Sequence, residues 1–67
     1  MTSLEVKEIR DHLGLSQPEF ADRFGLSLAT LRHWEQGRRT PDTAAEILLT
    51  VIASAPEIVE RAQITRR

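Results

Sequence analysis

The stretch that decides the fold is LSQPEFADRFGLSLATLRHWEQGRR, residues 15–39. Ser16 and Glu19 stand three residues apart, the spacing of a capping box, in which each side chain accepts a hydrogen bond from the other residue's backbone N–H. Gly25 then interrupts the helical pattern, because glycine readily takes the left-handed conformation that ends a helix. Ser27 follows as the N-cap of a new helix. The stretch therefore predicts two short helices joined by a tight turn.

Helical periodicity continues on both sides of this stretch. Thr2 and Glu5 repeat the capping-box spacing ahead of a helical run of apolar residues. Downstream, Thr40 is expected to cap a fourth helix that runs to about Ser54, and Ser54 to cap a fifth. No segment shows the alternation of a strand. The sequence predicts an all-α bundle of five short helices in one domain over residues 1–67, with the last three residues free to fray.

Candidate core residues follow from the same periodicity. In the first three helices they are Val6, Ile9, Leu13, Phe20, Ala21, Phe24, Leu31 and Trp34. Trp34 could stack on a base, but its helical spacing from Leu31 favours the core. In the fourth helix the predicted core stripe is Ile47, Leu48, Val51, Ile52 and Ala55. That stripe leaves Leu49 outside the core.

Composition excludes several classes of protein. The chain has 67 residues and no cysteine, so a disulfide framework and a thiolate metal site are excluded. His12 and His33 lack the spacing of metal ligands, and no apolar run is long enough to cross a membrane. No nucleophile–base pair, phosphate loop or metal cluster is visible, so we expect neither an enzyme nor a cofactor. The default setting is the cytoplasm.

Positive charge is concentrated in the centre of the chain. The net charge of −1 by itself argues weakly against a nucleic-acid ligand. However, residues 23–41 carry four arginines and one acidic residue, Glu35, whereas residues 1–22 sum to −3 and residues 42–60 to −4. Such asymmetry is more informative than the total. It indicates a basic surface at the second helix of the pair.

Two short helices around a glycine-containing turn constitute a helix-turn-helix motif. In that motif the start of the second helix lies in the DNA major groove, against the base edges. The outward positions of this helix are predicted to be small, polar, apolar or basic, and none is acidic. They are Leu28, Ala29, Thr30, Arg32 and His33. The pattern therefore favours a DNA-binding function.

The runs LSQPEFA, FGLS and TLRHWEQGRR, with Pro41 after them, resemble the Cro/C1-type (XRE) helix-turn-helix family of phage repressors. The similarity covers residues 4–55. It implies a five-helix bundle of the lambda-repressor-like type that binds operator DNA as a dimer. The run RHWEQGRR (residues 32–39), followed by Pro41, ILL (residues 47–49), VI (residues 51–52) and PE (residues 56–57), further resembles single-domain antitoxins of the HigA and MqsA-carboxyl-domain sort. Those proteins repress their own operon and bind a ribonuclease-type toxin, in the bacterial cytoplasm and on the nucleoid.

The resemblance also implies roles for individual residues. Gln17 would bond a phosphate and orient the third helix, and Arg10 would pair with Glu35. The DNA-contacting set would comprise Ser16, Gln17, Ser27, Leu28, Ala29, Thr30, Arg32, His33, Arg38 and Arg39. Leu28 and Ala29 suit a thymine methyl, since neither can hydrogen-bond a base.

The last two helices carry more apolar residues than a small core needs, 11 of the 16 from residue 44 to residue 59. Such a surplus is typical of an interface. We expect a two-fold dimer with Pro56, Ile58 and Val59 at its centre. An alternative remains open: a protein-interaction module that mainly binds and neutralises a partner toxin and binds DNA weakly.

Overall fold

The computed structural model describes residues 1–66, which form five α-helices and no strand. The helices are α1 (Ser3–His12), α2 (Gln17–Phe24), α3 (Leu28–Glu35), α4 (Thr43–Ser54) and α5 (Pro56–Arg66). α3 packs on α1 and α2, while α4 packs on α1 and α5, and α5 also contacts α2. The predicted all-α, five-helix class is confirmed.

The caps of the first three helices are the predicted ones. Thr2 with Glu5 and Ser16 with Glu19 form complete capping boxes, and Ser27 accepts from the backbone N–H of Thr30. A side-chain oxygen at each helix start takes a backbone N–H that has no partner within the helix. Local chemistry therefore sets where α1, α2 and α3 begin.

The predicted starts of α4 and α5 are wrong. Asp42, not Thr40, caps α4 and accepts from the N–H of Ala45 at 2.9 Å. Ser54 lies inside α4, where its hydroxyl donates to the carbonyl of Thr50. A single residue, Ala55, separates the two helices. Several Ser, Thr and Asp residues lie near each proline and could act as an N-cap, so the local sequence alone does not identify the one that is used.

The core lies where all five helices meet. Phe20 and Phe24 are in edge-to-face contact, with ring centroids 4.8 Å apart. Such pairs add to the free energy of simple burial. The buried apolar residues of the five helices are Val6, Phe20, Ala21, Phe24, Leu31, Trp34, Leu49 and Ile52. The predicted core of the first three helices is confirmed, with Ile9 and Leu13 half-buried against it.

The predicted core stripe of α4 is confirmed at Leu48 and Ile52 and is wrong at Ile47. Ile47 is 61% exposed, whereas Leu49 is completely buried. The inward face is Ala45, Leu48, Leu49 and Ile52, with helical spacing. Because α4 is apolar on most sides, periodicity alone fits both registers, and contacts with α1 and α5 select the observed one.

The carboxyl end of the described chain is helical. Thr65 and Arg66, predicted to fray, belong to α5, and Arg66 donates two hydrogen bonds to Gln63. Arg67, the third residue of that expectation, lies outside the described residues.

Candidate nucleic-acid interface

The two helices of the central motif are joined by the turn 25–27. Gly25 has φ +70°, the left-handed conformation that a residue with a side chain adopts only with strain. Its N–H and that of Leu26 both donate to the carbonyl of Ala21, which closes the end of α2. The turn therefore directs α3 across α2 with its amino end at the surface.

The residues expected to contact DNA differ in exposure. Ser16, Ser27, Ala29, Arg32, Arg38 and Arg39 are exposed, and Gln17, Leu28, Thr30 and His33 are half-buried. Leu28 also packs against the core, so only part of its side chain faces solvent. Apart from Leu28, the exposed face of α3 offers small or polar groups and cations.

A part-buried ion pair connects α1 to the end of α3. The guanidinium of Arg10 donates from Nε and one terminal nitrogen to both carboxylate oxygens of Glu35, each at 2.8 Å. Its other terminal nitrogen donates to the carbonyl of Leu15 at 2.9 Å. The side chains of Arg10 and Glu35 are 13% and 5% exposed. The predicted pair is confirmed, and it also fastens the loop between α1 and α2.

Gln17 extends this pair toward the surface of α3. Its amide nitrogen donates to Glu35 at 3.2 Å, and its amide oxygen accepts from Nε of Arg32 at 3.4 Å. Sequence reasoning assigned Gln17 a phosphate and an orienting role, but it missed these partners. They lie 18 and 15 residues away, beyond the reach of any local pattern. The amide thus connects a buried carboxylate to an exposed arginine.

The charge of Glu35 is held in the ionised form. Hydrogen bonds from Arg10, and to a lesser degree from Gln17, lower the pKa of this carboxyl against the opposing effect of burial. The same pair raises the pKa of Arg10. Glu35 is the only acidic residue of residues 23–41. Because it is paired with Arg10, no carboxylate of this segment remains to neutralise the segment's exposed arginines.

The loop after α3 brings two more cations to its end. The backbone N–H groups of Arg38 and Arg39 both donate to the carbonyl of His33, at 2.9 and 3.3 Å. The chain therefore folds back on the last turn of α3, and both arginine side chains are exposed. With Arg32 they form the cationic face, the name used below for these three side chains.

The residues expected at a dimer interface are not equally accessible. Ile58 is 52% exposed, but Val59 is half-buried and packs against the core. Pro56 is half-buried at the start of α5. Of the three, Ile58 is therefore the side chain most available to a second molecule.

Metal-binding clusters and membrane-spanning helices are both absent from residues 1–66. No cluster of three or more histidine, aspartate and glutamate side chains is placed to hold a metal ion. None of the helices is both long and apolar enough to cross a membrane.

Known proteins are similar to this chain in sequence and in fold. A family model described as helix-turn-helix matches residues 6–47. Antitoxin HigA-2 of Vibrio cholerae serotype O1 is 38% identical over 53 residues, which make up 79% of this chain and 51% of that protein. The chain thus spans about half the length of that relative.

A solved structure supports the assignment. The crystal structure of an XRE-family-like helix-turn-helix protein from Agrobacterium tumefaciens superposes with a TM-score of 0.83 at 44% identity. The match covers 94% of this chain and 98% of the other. The family model covers more than half of the chain and the solved protein matches almost end to end, so this chain belongs to the XRE-type helix-turn-helix family of DNA-binding proteins.

Proposed function

We propose that the protein is a non-enzymatic, sequence-specific DNA-binding repressor that places α3 in the major groove of its operator. One observation carries the proposal. Arg10 neutralises Glu35, the only acidic side chain of residues 23–41, and the cationic face of Arg32, Arg38 and Arg39 remains exposed. A surface of this kind attracts phosphates, and the amino end of α3, at the other end of the same helix, suits the major groove.

The contacts divide into two kinds. Arg38 and Arg39 bind phosphates, which hold the protein in register but carry no base identity. Thr30 and His33 bear the hydrogen-bonding groups of α3 that can meet base edges, and the exposed methyl of Ala29 suits a thymine methyl. Ser16 and Ser27 lie exposed at the amino ends of α2 and α3, where backbone N–H groups favour an anion.

The test begins with selection of binding sequences from a pool of random duplexes. Affinity is then measured for a selected and a scrambled duplex at several salt concentrations. Arg38→Ala should weaken both alike and reduce the slope of log K against log salt by about 0.9, the contribution of one phosphate. His33→Ala should lower the preference for the selected duplex by about 1–3 kcal/mol. Failure to enrich any sequence would refute specific binding.

We further propose that the repressor binds DNA as a two-fold dimer through the exposed part of α5. Ile58 is a large apolar side chain at the surface, where a symmetric contact would bury it against its counterpart. Ile58→Glu should therefore weaken operator binding without changing helicity. Val59 is a poor test, because it also packs against the core. Unchanged stoichiometry on DNA in the Ile58 variant would place the interface elsewhere.

The relative HigA-2 is an antitoxin by name, which supports an antitoxin role for this chain. We propose in addition that the chain represses its own operon and that its partner is a ribonuclease-type toxin. The test is to express the chain together with the product of the adjacent gene and to measure growth and complex formation. Protection of growth with a stable complex is the expected result. A toxin bound tightly while the selected duplex is bound weakly would favour the second candidate, a toxin-neutralising module.

A further inference from the structure

A groove of about 380 Å³ runs between α1 and α4. Its floor is apolar and consists of Met1, Ile9, Leu13 and Ala53. The first three are half-buried against the core, and Ala53 is exposed. Since the ten residues of α1 extend about 15 Å, the groove is long enough to receive a segment of chain rather than one side chain.

Most charged side chains of α1 lie on one of two sides. Arg10 bonds Glu35, and Lys7 also acts on that carboxylate electrostatically, so both cations lie toward α3. Glu5 and Glu8, by contrast, line the groove. Asp11, the third acidic residue of the helix, lies 3.7 Å from Arg10 and outside the groove. Two of the three carboxylates of α1 are therefore directed toward α4.

No cation on α4 neutralises the carboxylates of Glu5 and Glu8 along the groove. Residues 42–60 contain no lysine or arginine, and Glu46 is engaged by the amino group of Met1 at one end of the groove. Glu5 is partly engaged in its capping box, whereas Glu8 has neither a hydrogen bond nor an ion pair with any residue of the described chain. His12 is the one other titratable side chain in the lining. The groove thus combines an apolar floor with an unpaired carboxylate.

We propose that this groove binds a segment of a partner protein in which apolar side chains recur at helical spacing and lysines or arginines flank them. The apolar side chains enter the floor, as in other helix-in-groove complexes, and a cation meets Glu8. All lining residues belong to α1, α4 and their flanks, and none to α2 or α3. The inference therefore stands independently of the proposed DNA binding.

A second groove, between α2 and α5, shows why the first is the better candidate. It is acidic too, but it contains its own cation: Arg23 lies 3.7 Å from Glu60. A basic partner would have to compete with Arg23 for that carboxylate. The first groove also contains a cation, the amino group of Met1, but that group pairs with Glu46 and not with Glu8.

The experiment titrates the whole chain, labelled with 15N, with a short synthetic peptide that has leucines on one helical face and lysines on the other. Amide shifts should change at Glu8, Ile9, His12 and Ala53. Isothermal calorimetry should show binding that weakens with salt, because part of the attraction is between exposed charges. A peptide with glutamates in place of lysines should not bind, and one with serines in place of leucines should not shift the floor residues.

Variants of the protein separate charge from shape. Glu8→Lys should weaken the basic peptide about five- to tenfold, the range expected when one exposed ion pair of ~1 kcal/mol is replaced by repulsion. Glu57→Lys makes the same charge change on an exposed residue outside the groove and should have little effect. Ala53→Trp fills the floor without changing any charge and should abolish binding. Circular dichroism checks that each variant is folded.

Four outcomes would overturn the proposal. The first two are that the peptide does not bind and that its shifts map to α2 and α5. Glu8→Lys and Glu57→Lys could weaken it equally, which would indicate attraction to net charge alone. Shifts in the groove that grow with protein concentration in the absence of peptide would make a second copy of this chain the occupant.

Discussion

The first three helices and the last two are held by different kinds of interaction. All of the helices α1 to α4 begin at a side-chain cap, but the ion pairs differ: Arg10–Glu35, which joins α1 to α3, has side chains only 13% and 5% exposed. The ion pairs that reach α4 and α5, Met1–Glu46 and Arg23–Glu60, each include a side chain more than one-third exposed, and these two helices are joined through one residue, Ala55. Directional polar contacts specify one geometry, whereas apolar contacts tolerate several.

The difference matters for function because the two halves have different tasks. The DNA-binding surface needs α3 at a defined angle, and the ion pair and its extension through Gln17 supply that orientation. α4 and α5 complete the core from the other side and present Ile47, Ile58 and Ile64 to solvent. Substitutions that act on one half and not on the other therefore test this division.

The largest effect is expected from Arg10→Met. It leaves the Glu35 carboxylate buried without its cation and the Leu15 carbonyl without its donor, a loss of ~3–5 kcal/mol. That is comparable with the whole net stability of a domain this small. The domain should be largely unfolded at room temperature, as measured by circular dichroism and urea titration.

The matched control for this change is Arg23→Met. Arg23 and Glu60 also form an ion pair between two helices, but their side chains are 48% and 37% exposed. An exposed pair contributes about 1 kcal/mol or less. Equal losses in the two variants would show that burial does not distinguish the two ion pairs.

The second prediction concerns the register of α4. Leu49→Ala should cost about 2–5 kcal/mol, because Leu49 is completely buried, whereas Ile47→Ala at an exposed position should change stability by about 0.5 kcal/mol or less. Urea unfolding of both variants measures the difference. The reverse order would restore the register expected from the sequence.

This case also shows what sequence could and could not predict. The caps Thr2, Ser16 and Ser27 were predictable, because a capping side chain and the N–H that it bonds lie within three residues of each other. The side of α4 that faces inward was not, because Ile47 and Leu49 are equally apolar and only contacts with other helices separate them.

The candidate site divides in the same way. Local pattern gave the helix-turn-helix and its exposed cations, and family resemblance gave the Arg10–Glu35 pair. No sequence pattern indicated the contacts of Gln17 with Glu35 and Arg32, because these residues are far apart in sequence and meet through the geometry of a side-chain amide.

The third prediction is that acid destabilises the α1–α3 half through Glu35. Hydrogen bonds from Arg10 lower the pKa of Glu35 in the folded state, so below the ordinary value of 4.5 the unfolded chain binds a proton that the folded chain does not. The resulting stability is fully present above that value and is lost as pH falls through the folded pKa. Fluorescence of the single tryptophan, Trp34, follows unfolding at each pH.

The control compares slopes rather than absolute stability. Glu35→Gln removes the titrating group, so its unfolding free energy should depend less on pH between about 5 and 3 than that of the natural chain. The capping carboxylates Glu5 and Glu19, whose pKa values are also lowered by hydrogen bonds to Thr2 and Ser16, remain in both proteins. Parallel slopes would show that Glu35 does not titrate differently on folding.

The smallest loss of stability is expected at Gly25, where the turn between α2 and α3 faces α5. A Cβ on this residue would stand 2.7 Å from the amide oxygen of Gln63 on α5, in addition to the strain of φ +70°. Gly37 has a similar φ of +76° but open space around it. Gly37→Ala should therefore cost only the left-handed backbone, ~1–2 kcal/mol, and Gly25→Ala that amount plus the cost of displacing Gln63.

A double-mutant cycle isolates the free-energy cost of displacing Gln63. In the Gln63→Ala background the Cβ at position 25 has no amide to displace, so Gly25→Ala should then cost about as much as Gly37→Ala. The coupling should be below roughly 1 kcal/mol, because the Gln63 side chain can rotate away once it gives up its bonds to Arg66. A coupling of zero would mean that the turn between α2 and α3 does not contact Gln63 of α5.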